Sequence, residues 1–157
     1  MKKIKLLFDM DGTIADLYGE KNWLNDIQNE RVTPYKNAKP MGLDKIKNEI
    51  IKLKEKMGER LEIVICTWLA KGSTPEYDKA VADAKYEWLE ENGFWELLDN
   101  YIPYRYGTDK AKATDEKCIN ILFDDNNEVR KEFVENRNNI AFKETEILQA
   151  LKLIGNM

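Results

Sequence analysis

Asp9 and Asp11 stand two positions apart at the end of the apolar run Ile4-Lys5-Leu6-Leu7-Phe8, and Gly12 and Thr13 follow at once. At the tip of a parallel strand, side chains and backbone amides converge on one crevice. Two acids held there repel each other unless a cation sits between them. A hard divalent ion such as Mg2+, which prefers oxygen ligands, meets that need. The competing reading is a plain strand end closed by an Asx turn, because Asp and Gly are favoured turn residues. Residues far along the chain weigh against it. Thr67 closes the segment Leu61-Glu62-Ile63-Val64-Ile65-Cys66, and Asp124-Asp125 close Ile119-Asn120-Ile121-Leu122-Phe123. Lys110 and Lys112 lie in the loop before that last segment. Together these types suit phosphoryl transfer. Carboxylates hold Mg2+, a lysine and a threonine hydroxyl hold phosphate oxygens, and one carboxylate can attack phosphorus.

The chemistry requires each of these segments to be a strand of one parallel sheet. Apolar runs bounded by turn residues read as strands, and a 3.6-residue period reads as a helix. Residues 3–8, 61–67, 101–106, 119–123 and 140–142 read as strands. Leu43, Ile46, Ile50, Leu53 and Met57 recur at helical spacing, with Gly58 as the stop. A second helix runs from Pro75 through Val81, Ala84, Trp88 and Leu89 to Gly93, with Trp88 in the core. A short helix after residue 126 and a last one over about 144–154 complete the pattern. Residues 16–42 are mixed and hold a short helix and a loop. Strands alternating with helices predict an α/β fold, a central parallel sheet flanked by helices, in a single domain over 1–157.

Composition narrows the function. The chain of 157 residues has a net charge of −4, and its lysines are intermixed with acids along helices, so general nucleic-acid binding is not expected. No stretch approaches the roughly 20 apolar residues of a membrane span. The basic start and first apolar run are too short for a signal peptide. Cys66 and Cys118 lack a Cys-x-x-Cys spacing, which suits buried thiols in a reducing cytoplasm. The chain contains no His, which excludes Ser-His-Asp and Cys-His mechanisms and His-ligated zinc. A cysteine phosphatase is excluded as well, because position 72 is Gly where it would need Arg. A calcium loop starting at Asp9 would need Gly at its sixth position, which is Ile14.

Asp-x-Asp-Gly-Thr after an apolar strand, Thr67 closing the second strand, a downstream lysine and Asp124-Asp125 resemble the four motifs of the haloacid dehalogenase (HAD) superfamily, in order, over about residues 4–126. A response-regulator receiver uses similar residues in a different order. The HAD resemblance implies a Rossmann-like core, Mg2+ dependence and phosphatase chemistry. Asp9 would be the nucleophile. Asp11 would protonate the leaving group and then activate the hydrolytic water, a role superfluous in a halide-removing member. The Asp9 carboxylate, the Asp11 backbone carbonyl and Asp124 would bind metal, supported by Asp125. Thr67, Gly12 and a lysine would bind phosphate, with Lys110 chosen over Lys112.

In this superfamily a cap inserted near the site selects the substrate, and only residues 17–41 are free to form one, so a small helical cap is expected. Such a cap leaves the site open to solvent, a macromolecule or a second copy in a homo-oligomer. The opening Asp9-Met10-Asp11-Gly12-Thr13-Ile14-Ala15-Asp16 is most similar to the 5'(3')-deoxyribonucleotidase group, as are Asp109-Lys110 and Ile121–Asp125. That group usually has Val at the place of Thr13, a larger cap, and Ser at the place of Trp68. The substrate implied is a small phosphate ester, with nucleoside monophosphates favoured. Asp16, Trp23 and Trp68 are the pocket candidates, the two indoles either stacking on a base or packing the cap. Phosphate removal from nucleic-acid ends, or a HAD-fold module that binds without turnover, are the alternatives.

Overall fold

A strand that is apolar at nearly every position needs cover on both faces, which a parallel sheet between helices supplies. Lys3–Phe8 (β1) is the middle strand of such a sheet. The computed structural model describes residues 2–135 and 139–157; Met1 and residues 136–138, within the expected domain limits, lie outside the described residues. After β1 come Ala15–Asp16 (β2), Trp23–Gln28 (α1), Thr33–Asn37 (α2), Lys39–Pro40 (β3) and Leu43–Met57 (α3). Leu61–Trp68 (β4), Pro75–Glu91 (α4), Asn100–Tyr104 (β5) and Cys118–Phe123 (β6) follow. Asn127–Val134 (α5), Asn139–Phe142 (β7) and Ile147–Gly155 (α6) close the chain. The main sheet has the order β5-β4-β1-β6-β7, with every pair parallel. This is the expected α/β arrangement, Rossmann-like, with helices flanking a five-stranded parallel sheet.

Alternation along the strands sorts the core into two layers. Leu6, Phe8, Ile63, Ile65, Ile121 and Phe123 pack with α3, α6 and Trp88 of α4. Leu7, Val64, Cys66 and Leu122 face the other way, against Val129 and Phe133 of α5. The helix ends follow their sequence signals. Gly58 takes a φ of 57° where α3 stops. Thr74 caps α4 by accepting from the Tyr77 amide, with Pro75 in the first turn. Cys66 and Cys118 are free and buried. Burial pushes the Cys66 thiol up to about 12, which suits an inert core residue.

The segment expected to hold one short helix and a loop is more organised than that. β2 and β3 pair antiparallel, Ala15 beside Pro40 and Asp16 beside Lys39, so the insertion is bracketed by a two-residue ribbon. Between the ribbon strands lie α1 and α2. Helices this short are unstable alone, so tertiary contacts must hold them. Leu17 and Tyr35 are buried with Leu69, Tyr77, Val81 and Ala84. The Tyr77 hydroxyl donates to the Arg31 carbonyl (2.6 Å), and Trp88 Nε1 donates to the Ala38 carbonyl (2.7 Å). Other boundaries shift by one to three residues. β5 ends at Tyr104, before Tyr106, and α6 starts at Ile147 after a 3-10 turn over Glu144–Glu146. Among the described residues, no helix is long and apolar enough to cross a membrane.

Candidate active site

The last rungs of the sheet deliver the acids to one edge. The Asp9 amide donates to the Phe123 carbonyl (2.9 Å), and the Asp124 amide donates to the Phe142 carbonyl (3.1 Å). Beneath them the Phe8 and Phe123 rings pack with centroids 4.9 Å apart. Beyond Asp9 the chain folds back tightly: the amides of Thr13, Ile14 and Ala15 all donate to the Met10 carbonyl at 3.0 Å. Gly12 sits in this turn with a φ of 79°, and a Cβ there would run into the Asp125 carboxylate and the Tyr18 ring. Gly12→Ala is therefore expected to destabilise the fold by about 1–3 kcal/mol through backbone strain and to push Asp125 out of place. Thermal melts check this, and a variant that melts with the wild type would refute the tight fit.

Lys110 is buried at the centre of the cluster. Its Nζ donates to Asp9 Oδ1 (2.9 Å) and to Asp124 Oδ2 (2.7 Å). Burial pulls this ammonium down, but Asp9 and Asp124 outweigh it and hold it above its ordinary value. Asp109 turns the loop by accepting from the Ala111 amide (2.9 Å), and Trp68 Nε1 anchors it through the Thr108 carbonyl (2.7 Å). The Trp68 ring then lies 5.5 Å from the Lys110 ammonium. Lys112, two residues on, is exposed on the surface. If the chain is the phosphatase that the sequence resemblance implies, Lys110→Ala is expected to lower turnover by about a hundredfold or more, while Lys112→Ala stays within about twofold. Equal losses would return the choice between the two lysines to the start.

Asp11 turns to a different partner. Lys85 of α4 donates to Asp11 Oδ2 (2.7 Å), Thr67 Oγ1 (2.8 Å) and the Trp68 carbonyl (2.8 Å). Burial raises the Asp11 carboxyl above its ordinary value, and the Lys85 charge pulls against that. Sequence reasoning missed Lys85. The signal was present: Val81, Ala84, Lys85, Trp88 and Leu89 form one stripe at helical spacing, all buried, and a lysine within such a stripe needs an acid to face. Thr13 has no role in the sequence motif beyond its place in it. Its hydroxyl donates to Asp9 Oδ2 (2.9 Å) and accepts from the Asp125 amide (3.1 Å), tying the first strand end to the fourth.

With all four carboxylates ionised, they would face only two ammonium groups and leave two negative charges unpaired. Carboxylate oxygens of Asp9, Asp124 and Asp125 lie within 4.8 Å of one another. Asp124 is pushed up to about 6 by burial and then by Asp9. Asp125, which has no ion pair among the described residues, is pushed up to about 8 by the same two causes. An all-oxygen set with uncompensated charge fits a hard divalent cation, so the residues present suit Mg2+.

Above the cluster opens a cavity of about 560 Å³, within the usual range for small-molecule sites. Asp9, Asp11, Lys110, Asp124 and Asp125 form its floor, and Trp23 and Trp68 belong to its walls. Tyr18 pairs edge-on with Trp23 and Tyr106 packs on Trp68, each with centroids 4.9 Å apart. Besides Lys112, three expected site residues lie outside the lining. Thr67 is fully buried behind the wall, gripping Lys85. Gly12 supports the floor from the turn. Asp16 accepts from the Gly19 amide (3.0 Å) and closes a turn at the start of the insertion. No protein-family model matches the chain, and no curated protein matches it.

Proposed function

We propose that the chain is a HAD-type, Mg2+-dependent phosphomonoester hydrolase that works through an aspartyl-phosphate on Asp9, with nucleoside monophosphates as its substrate class. The observation that carries this reading is the convergence of Asp9, Asp11, Lys110, Asp124 and Asp125, from three separate strand ends and loops, on the floor of one cavity. Asp9, Asp124 and Asp125 would hold Mg2+ with the Asp11 backbone carbonyl, and the ion would offset the charge of acids and phosphate together.

The chain's own residues divide the rest of the work. An Asp9 oxygen attacks phosphorus. The ester bond breaks with its electron pair on the leaving oxygen, and the Asp11 proton passes to that oxygen. Water then attacks the acyl phosphate, loses a proton to Asp11, and releases Asp9 and inorganic phosphate. A raised Asp11 carboxyl supports this role, since an acid must hold its proton until the ester bond yields. Lys110 offsets negative charge beside the nucleophile. Lys85 donates to Thr67 Oγ1 and to the Trp68 carbonyl, which fixes the wall beside Asp11.

Aromatic walls favour a flat leaving group over a sugar. Tyr18 (51% exposed) and Tyr106 (50% exposed) both line the mouth and carry open ring surface. Stacking on such rings is worth roughly 1–3 kcal/mol per base. Nucleoside monophosphates are therefore expected to exceed sugar phosphates in kcat/KM by about tenfold or more. A panel of nucleotides, sugar phosphates and end-phosphorylated oligonucleotides with Mg2+ tests this. Mg2+ binding without turnover of any ester would refute the enzymatic reading, and preference for the oligonucleotide would move the substrate to nucleic-acid ends.

A further inference from the structure

Lys85 carries a burden that charge balance alone does not explain. It is only 1% exposed and sits on the apolar face of α4, among Tyr77, Val81, Ala84, Trp88 and Leu89. An apolar side chain of similar volume often serves stability as well as or better than a buried ion pair. Neutralising Asp11 would need one contact, whereas Lys85 makes three. Its three N–H bonds meet three acceptors, Asp11 Oδ2, Thr67 Oγ1 and the Trp68 carbonyl, at 2.7–2.8 Å. The Tyr35 ring covers the ammonium at 5.2 Å. With every donor spent, the group is fixed in position and so is the oxygen it holds.

A proton-transfer group acts best when one defined atom faces the reacting oxygen. Asp11 Oδ2 faces an N–H donor and has no room for a proton of its own on that side. The carboxyl proton therefore belongs on Oδ1. We propose that Lys85 is a positioning residue that fixes Asp11 Oδ1 as the proton-carrying oxygen; this rests on the phosphatase reading above. As the Asp9–phosphorus bond forms and the ester bond breaks, the Oδ1 proton goes to the ester oxygen, and the carboxylate left behind is already paired with the Lys85 ammonium. In hydrolysis of the acyl phosphate the same oxygen takes the proton of water.

Two esters of similar size separate this role from a general structural one. Benzyl phosphate must release an alkoxide and needs the proton; 4-nitrophenyl phosphate releases a weakly basic phenoxide and does not. The parameter to measure is kcat/KM, which covers the steps up to departure of the leaving group. Lys85→Met and Lys85→Gln, checked for folding by near-ultraviolet circular dichroism, are expected to lose about a hundredfold on benzyl phosphate and under about fivefold on 4-nitrophenyl phosphate. Equal losses on both esters overturn the inference, because they point to a general weakening of phosphate binding or to a global defect. If neither variant folds, Lys85 is a folding residue and the proposal falls. A wild type that turns over neither ester overturns the phosphatase reading, and this inference with it.

Discussion

Asp9→Asn is expected to abolish phosphate release from 4-nitrophenyl phosphate, by about a thousandfold or more, because a carboxamide cannot form the acyl phosphate. The loss should come without unfolding. Asp9 Oδ1 accepts from Lys110 and Oδ2 from Thr13, and an amide oxygen can keep one of these bonds. Removing the charge also relieves the repulsion that raises Asp124 and Asp125. The variant without Mg2+ should therefore melt at the wild-type temperature or above it, the pattern of a site that trades stability for activity. Activity assays and thermal melts on the same preparation decide the matter. Residual turnover above about one per cent of wild type would remove Asp9 as the nucleophile.

Removal of the divalent ion is the second large effect. Excess EDTA is expected to stop turnover, and Mg2+ to restore it. The direction with pH follows from the carboxylates. Asp124 and Asp125 lie above their ordinary values in the folded chain, so the metal-free folded state holds more protons there than the unfolded state does. Their contribution to stability is then greatest at low pH and is lost as pH rises toward 8, the reverse of an ordinary salt-bridged acid. Mg2+ held by these carboxylates would have to displace those protons, so its affinity is expected to rise with pH over the same interval. Melting curves with and without Mg2+ at pH 6 and pH 8 should show the larger rise in Tm at pH 8. A larger rise at pH 6, or full turnover in EDTA, would take the metal out of the Asp9-Asp124-Asp125 cluster.

How much the sequence disclosed depended on whether the signal was local. β1, β4 and β6 are apolar runs closed by acids or a hydroxyl, so both the strands and the side chains at their tips were legible. Lys110 is the choice over Lys112 on the resemblance, and in the structure Lys110 is buried while Lys112 is exposed. The helical stripe on α4 was visible, but the partner of Lys85 was not. Its burial depends on α4 lying beside the Asp11 turn, a contact 74 residues away in sequence. Residues 16–42 read as one short helix and a loop, and the division into α1 and α2 was hidden for a related reason. At 6 and 5 residues they are too short for a period to show, and docking against Tyr77 and Trp88 holds the segment that carries them.

The ribbon of β2 and β3 has an architectural meaning of its own. Residues 17–38 leave the frame and rejoin it through one pair of adjacent residues, Asp16 and Lys39, whose Cα atoms in such a pair stand roughly 5 Å apart. A hairpin turn or a much longer excursion could span that gap equally well, and neither would alter the register of the main sheet. The segment is thus a cassette. A replacement has to match one footprint, formed on α4 and after β4 by Tyr77, Val81, Ala84 and Leu69. A graft of foreign residues between Asp16 and Lys39 that keeps Tyr35 over Lys85 would replace the Tyr18 and Trp23 side of the cavity and leave Asp9, Lys110 and Asp124 where they are.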